Sequence, residues 1–264
     1  MKKFHDFFKK AMIFTAMAAM VVACSDDAED VPTDVSITEA ELKTVLETDQ
    51  AAGAADNVLA ELFQDNGNSN KGTAKNDECY SAEYTENGFT ATFNNCVLNG
   101  TDNVNGTLTV AYMASGESAG FTATYTDFYV GNIKVNGTRT FEINGNGEES
   151  ELSFEITSNI TLEMEDESII SESGTKTMTF TFGENFEDFG FTLAGEWTVQ
   201  ADGNTYMVET VTPLEISFSC EYLSKGSMTL GKNGLAVTVD FGDGTCDDKA
   251  TVIYPDGTEE EFTL

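Results

Sequence analysis

From about residue 80 onward, side-chain character alternates with a period of two. In "GFTATYT", Phe121, Ala123 and Tyr125 fall on one side of an extended chain and the threonines on the other. In "KTMTFTF", Met178, Phe180 and Phe182 oppose Thr177, Thr179 and Thr181, and in "GLAVTVDF" Leu235, Val237, Val239 and Phe241 oppose Ala236, Thr238 and Asp240. Successive residues of a strand point to opposite faces, so each such strand buries one face and wets the other. That pattern belongs to antiparallel sheet, because parallel strands are buried on both faces. Threonine suits the wet side, since its β-branch packs on the pleat while its hydroxyl meets water.

Turn chemistry punctuates the strands. Asn-Gly or Asp-Gly steps occur at Asn87-Gly88, Asn136-Gly137, Asn144-Gly145, Asp202-Gly203, Asn233-Gly234 and Asp256-Gly257, and they favour the positive φ of tight hairpins. Strands separated by such turns predict an all-β antiparallel meander of roughly a dozen strands. A long sheet with one apolar face must close on itself or find a second layer. The expected architecture is therefore a sandwich or a curved, partly closed barrel over residues 79–264, with a short N-terminal helical segment covering an apolar opening.

That segment lies in residues 37–78. Thr38 and Glu41 fit a capping box, and Leu42, Val45 and Leu46, then Leu59, Leu62 and Phe63, recur at helical spacing. Gly53 predicts a break into two shorter helices. A polar loop, Gln64 to Asp77, follows.

The beginning of the chain reads as an address. Lys2, Lys3, Lys9 and Lys10 precede the apolar run "AMIFTAMAAMVVA" (Ala11 to Ala23). That run is shorter than the roughly 20 residues a bilayer-spanning helix needs and has the length of a secretory signal core. Residues 1–23 are thus expected to be a signal peptide. Val21-Val22-Ala23 before Cys24 resembles a bacterial lipobox, which implies cleavage by lipoprotein signal peptidase and acylation (diacylglycerol, palmitate) of Cys24. Residues 24–36 then form an acidic tether. Two or more acyl chains anchor stably, so the expected partners are a membrane, through that lipid, and the export machinery.

Removing Cys24 from the count leaves Cys79, Cys96, Cys220 and Cys246, an even set for an exported domain. The turns choose among the three pairings. The midpoint of Cys79 and Cys96 falls between Asn87 and Gly88, and that of Cys220 and Cys246 falls at Asn233. Residues equidistant from a hairpin turn face each other, so Cys79–Cys96 and Cys220–Cys246 are the expected disulfides. The second pair is off-centre and requires a bulge or a three-residue turn. "GFTATFNNC" and "GLAVTVDFGDGTC" also form a weak repeat around the two second cysteines.

Several functions are excluded. The formal net charge is −33, which repels phosphate backbones, so nucleic acid is not a partner. The one histidine, His5, lies in the leader, which removes imidazole-dependent nucleophilic catalysis and the commonest zinc sites. No enzyme is expected; a glycan hydrolase working through two carboxylates is the remaining catalytic alternative. No cofactor is expected beyond calcium. The densest set of oxygen ligands is Asp240, Asp243, Asp247 and Asp248 in "DFGDGTCDD", a candidate calcium site whose spacing departs from the EF-hand loop. The competing reading is a solvated turn. Phe186, Phe189 and Phe191 in "GENFEDFGF", together with Trp197, are candidates for a ligand-binding rim or, alternatively, core caps at a hairpin end.

"CSDDAED" resembles the export signal of Bacteroidetes lipoproteins, carried here by Ser25, Asp26, Asp27, Glu29 and Asp30 after Cys24. "GTRTFEING", "VTPLEIS" and "VTVDFGDGTCDDKATVIYPDGTEEEFTL" are similar to a family of Bacteroidetes (flavobacterial-type) surface lipoproteins without assigned activity. The resemblance implies an outer-membrane, surface location and transfers no functional residue. The expected role is a non-enzymatic binding or envelope-interaction module; the alternative is a structural or shielding protein.

Overall fold

A computed structural model describes residues 36–66, 75–76, 79–97, 103–113, 119–144, 151–181, 190–217, 220 and 222–264. Helix α1 (Glu39–Asn66) leads into β1 (Lys75–Asn76), β2 (Tyr80–Thr85), β3 (Gly88–Cys96), β4 (Val104–Tyr112) and β5 (Ala119–Val130). There follow β6 (Ile133–Asn144), β7 (Glu151–Glu163), β8 (Ile169–Thr181), β9 (Gly190–Ala201) and β10 (Asn204–Ser217). The chain ends in β11 (Lys225–Lys232), β12 (Leu235–Asp243), β13 (Lys249–Ile253) and β14 (Glu259–Thr263). All fourteen strands form one antiparallel sheet in strict chain order, and its first and last strands are edges that do not pair with each other. The alternation thus becomes a single open meander rather than a two-sheet sandwich.

The second layer is α1. It is one continuous helix of 28 residues, passing through Gly53 without a break. Leu42, Val45, Ala52, Ala55, Val58, Leu59 and Leu62 are buried along one side of it, and that stripe outweighs the modest helix penalty of a glycine. The capping box forms: Thr38 N donates to Glu41 Oε2 at 3.0 Å and Glu41 N donates to Thr38 Oγ1 at 3.2 Å.

The dimensions favour a sheet that curls around the helix. At the C-terminal end of α1, Phe63 packs edge-on against Phe89 of β3, with centroids 5.7 Å apart. Just before its N-terminal end, the Ile37 carbonyl accepts a hydrogen bond from Tyr254, next to β13, at 3.3 Å. Ile37 to Phe63 spans about 39 Å as helix, whereas β3 to β13 is about 48 Å along the sheet at ~4.8 Å per strand. The difference of about 9 Å is taken up by curvature of the sheet together with the reach of the Phe63, Phe89 and Tyr254 side chains.

Glycines make the bend. Gly137 has φ 114°, and a Cβ there would sit 2.2 Å from the Asn159 carbonyl oxygen. Asn136-Gly137 is therefore a kink in the middle of β6, not the hairpin turn its dipeptide predicts. The motif Gly-Ser/Thr-x-Thr recurs at Gly106, Gly137, Gly174 and Gly226, on β4, β6, β8 and β11. Each of these glycines has positive φ, the device by which a sheet turns a corner. Two-residue turns do form at Asp202-Gly203 and Asn233-Gly234, where both residues have positive φ.

Disulfides join Cys79 to Cys96 and Cys220 to Cys246, with Cα atoms 5.2 and 5.6 Å apart. The route to the first differs from simple symmetry. The turn is Glu86-Asn87, with Thr85 opposite Gly88, which would set Asn94 against Cys79. An extra residue in β3 between Phe93 and Cys96, with Asn95 at φ 59°, brings Cys96 into reach. The second pair lies beyond the last β11–β12 pair, Lys225 with Asp243; the register shift between Lys225 and Ser227 adds a residue on the β12 side, opposite in sense to the bulge that symmetry about the turn requires, so the chain beyond the two strands brings Cys220 to Cys246.

Candidate functional site

The inner face of the sheet is apolar except beneath α1, where charge is concentrated. Three helix carboxylates each meet a cation on a different strand. Glu41 accepts from Lys232 Nζ of β11 at 2.5 Å and from the Tyr206 hydroxyl at 2.9 Å. Asp49 accepts from Lys176 Nζ of β8. Asp56 accepts from Arg139 Nη1 of β6 at 2.6 Å and from the Tyr125 hydroxyl at 3.2 Å. Glu41, Asp49 and Asp56 are spaced at about 12 and 10 Å along the helix. The strands bearing their partners are about 14 and 10 Å apart. The seven-to-eight-residue carboxylate spacing is thus the register that seats α1 across the strands.

Arg139 and Lys176 are placed by the repeated motif. Each occupies its x position, between outward threonines, where β4 and β11 carry the buried Leu108 and Met228. Lys176 is the most enclosed cation. It donates to Glu172 Oε2 at 2.8 Å as well as to Asp49, and its Nζ lies 4.5 Å from the centroid of the Trp197 ring. The side chains of Lys176 and Glu172 are 3% and 0% exposed. Across the strands, Arg139 faces Ser158, Ser158 faces Gly174, and Gly174 faces Trp197, which makes one inward row. Arg139 Nε, Ser158 Oγ, Trp197 Nε1 and the neighbouring Glu172 Oε1 are buried without a hydrogen-bond partner among the described residues.

Electrostatics follow from that enclosure. Burial pushes the carboxyls of Asp49 and Asp56 above their usual range, against the pull of Lys176 and Arg139 respectively. Burial and the adjacent Asp56 hold the Tyr125 phenol well above its ordinary value. Toward the rim, burial and Glu41 push Tyr206 up to about 12. For Glu41 burial acts upward, but hydrogen bonds from Lys232, Thr38 and Tyr206 bring it below the carboxylate range.

The outer face has a different character. Asn136, Thr161, Ser171 and Gln200 form one cross-strand row; Thr124, Thr138, Asn159, Ser173 and Thr198 the next; Thr122, Thr140, Thr157 and Thr175 a third. Hydroxyls pair within these rows, Thr122 with Thr140 at 3.0 Å and Thr157 with Thr175 at 3.2 Å. The field carries no charge in a chain with 46 acidic residues. Glu196 and Glu209 bound it on β9 and β10.

The aspartates expected to hold calcium do not converge. Asp240 accepts from Gly242 N at 2.8 Å, Asp243 from Thr245 Oγ1 at 3.0 Å, and Asp247 from Lys249 N at 3.1 Å. Each of these carboxylates caps its own turn, and Asp248 joins no common ligand set with them. No three acidic, cysteine or histidine side chains among the described residues come together as a metal site. Asp240, Asp243 and Asp247 line a shallow hollow of about 250 Å³.

Of the candidate aromatic rim, Phe191 and Trp197 stand apart. Phe191 faces inward beside Phe180 and Ile216, but Trp197 is 2% exposed, six residues along β9 and under α1. Phe186 and Phe189 lie outside the described residues, as do Cys24, Ser25, Asp26, Asp27, Glu29 and Asp30.

Arg139, Lys176 and Glu172 escape a reading by composition. The signal for them is a charge at an inward position of an alternating strand, as in "GTRTF" and "GTKTMTF". No protein-family model, curated protein or solved structure matches the chain.

Proposed function

We propose that the protein is a lipid-anchored, non-enzymatic lipoprotein of the outer membrane, displayed at the cell surface, whose sheet meets an envelope partner through its outer face. It takes its place beside the Bacteroidetes surface lipoproteins that its leader and β domain resemble. Cys24 is the acylated residue and Ser25 to Asp30 the export signal. The observation that carries the reading is the uncharged threonine, serine and asparagine field over β5–β9. Elsewhere a partner would have to desolvate carboxylates; here hydroxyls and amides offer hydrogen bonds without a charge to desolvate. The inner face is filled by α1, so a partner is met on a broad surface rather than in a cleft.

Two measurements test this. Protease treatment of intact cells should degrade the protein, and Cys24→Ala should abolish metabolic palmitate labelling. Full protection in intact cells, or labelling that survives Cys24→Ala, would overturn the location. Thr157→Arg with Ser173→Arg, in the middle of the field, should release envelope partners recovered by chemical cross-linking while leaving the melting temperature unchanged. Unaltered cross-links would overturn the role of this face.

A further inference from the structure

We propose that Lys176 and Asp49 become joined by an intramolecular isopeptide bond, formed once per chain, with Glu172 carrying the protons. Three observations bring the chemistry together. Lys176 Nζ hydrogen-bonds two carboxyl groups at once, Asp49 from the helix and Glu172 from its own strand. The amine and its base are shut away from water: Lys176 and Glu172 are 3% and 0% exposed, and Trp197 closes one side of the amine at 4.5 Å, while Asp49 is 26% exposed and leaves a way out for the water released. The register adds Ile156 and the bare Gly195 on either side of Lys176. On the helix, Thr48 and Ala52 are buried one residue before and three residues after Asp49. Finally, Glu172 Oε1 has no partner among the described residues, so this carboxylate has a lone pair free to take a proton.

Amide formation needs a neutral amine, a protonated carboxyl group and little water. Burial favours the protonated form of Asp49, as described above. Glu172 first removes a proton from the Lys176 ammonium. The nitrogen lone pair attacks Asp49 Cγ, and a C–N bond forms. Glu172 returns its proton to the departing hydroxyl, the C–O bond breaks and water leaves. Glu172 then takes the surplus proton from nitrogen, so it ends neutral beside a neutral amide. The reaction is a condensation and needs no oxidant, cofactor or second protein. Reacting groups held in contact gain effective concentrations of about 10⁵ M or more, which offsets the sluggishness of an unactivated acid.

The Glu41–Lys232 pair provides a control within the same interface. Its amine is the more open, Lys232 being 16% exposed against 3% for Lys176, and Glu41 is also held by Tyr206 and Thr38. No second carboxylate hydrogen-bonds Lys232 among the described residues, so no condensation is expected there.

Intact-mass spectrometry of the purified chain, denatured and with disulfides reduced, tests the proposal. Wild type should weigh one water less than its processed, acylated sequence requires, and proteolysis should release a branched peptide joining the Asp49 and Lys176 segments. Lys176→Arg and Asp49→Ala should have full mass. Folded wild type at full mass, with the two segments recovered separately, overturns the proposal whatever the variants do. Glu172→Gln should stay uncondensed; a variant that loses water at the wild-type rate overturns the role given to Glu172.

Discussion

Removing Asp56 should cost far more than removing Asp56 and Arg139 together. The Arg139 side chain is 5% exposed and its Nη1 is 2.6 Å from Asp56 Oδ2. Asp56→Ala strands that guanidinium in the interior, and breaking a buried pair typically costs about 3–5 kcal/mol. Asp56 is itself 24% exposed, so water can partly replace it, and the expected loss lies near the lower end, about 3 kcal/mol. The double variant Arg139→Met/Asp56→Leu leaves no charge behind. Apolar replacement of a buried pair is neutral or stabilising by about 1–4 kcal/mol, so its stability should equal or exceed that of wild type.

The pH dependence has a definite sign. The folded-state pKa of Asp56 is raised by burial. Its contribution is therefore fully present below the unfolded pKa, about 3.9, and is lost as pH rises through the higher folded value. The advantage of the double variant over wild type should grow with pH across that window. Urea unfolding followed by the emission of Trp197, the one tryptophan in the chain, measures every term. A loss below about 1 kcal/mol for Asp56→Ala, against the 3–5 expected of a buried pair, would refute the reasoning. So would a double variant as unstable as the single.

Three further outcomes follow from backbone and cross-links. Gly53→Ala should raise stability by roughly 0.5–1 kcal/mol in the same urea assay, because a Cβ there meets nothing within 4 Å. Gly137→Ala should lower it by about 3 kcal/mol or more, combining positive-φ strain with a Cβ 2.2 Å from the Asn159 oxygen; circular dichroism melts would register the drop. Replacing Cys79 and Cys96 by alanine opens a loop of sequence separation 17 and should cost about 3 kcal/mol, read from denaturation midpoints of the two forms.

Strand identity and disulfide partners were legible in the chain because both depend on local rules. Alternation at Phe121, Ala123 and Tyr125 needs only the period of a strand, and the cysteines need only approximate symmetry about a turn. Curvature was not legible in the same way. Asn136-Gly137 carries the same dipeptide as the true turn at Asn233-Gly234, and only the approach of a third strand's carbonyl distinguishes a kink from a reversal. The charged site was hidden for a related reason. Arg139 and Lys176 sit on the apolar face of their strands, yet composition counts them with the solvated lysines. Their partners, 83 and 127 residues away, become neighbours only when the sheet has formed against α1. Gly53 misled through propensity, which a buried stripe of alanines and leucines overrides.

The strict chain order of the strands gives the helix a timetable. Each strand pairs with the one just made, so the sheet can zip from one end without waiting for distant segments. Helix α1 is made first and lies antiparallel to that progress. Its last turn can meet β3 early, through Phe63 and Phe89. Asp56 must wait for Arg139, Asp49 for Lys176, and Glu41 for Lys232, at separations of 83, 127 and 191 residues. If the sheet grows in chain order, the ion pairs close in sequence, from the C-terminal end of the helix to its N-terminal cap. Each one records how many strands have joined, and a chain stalled between two strands would carry a helix latched to that same point.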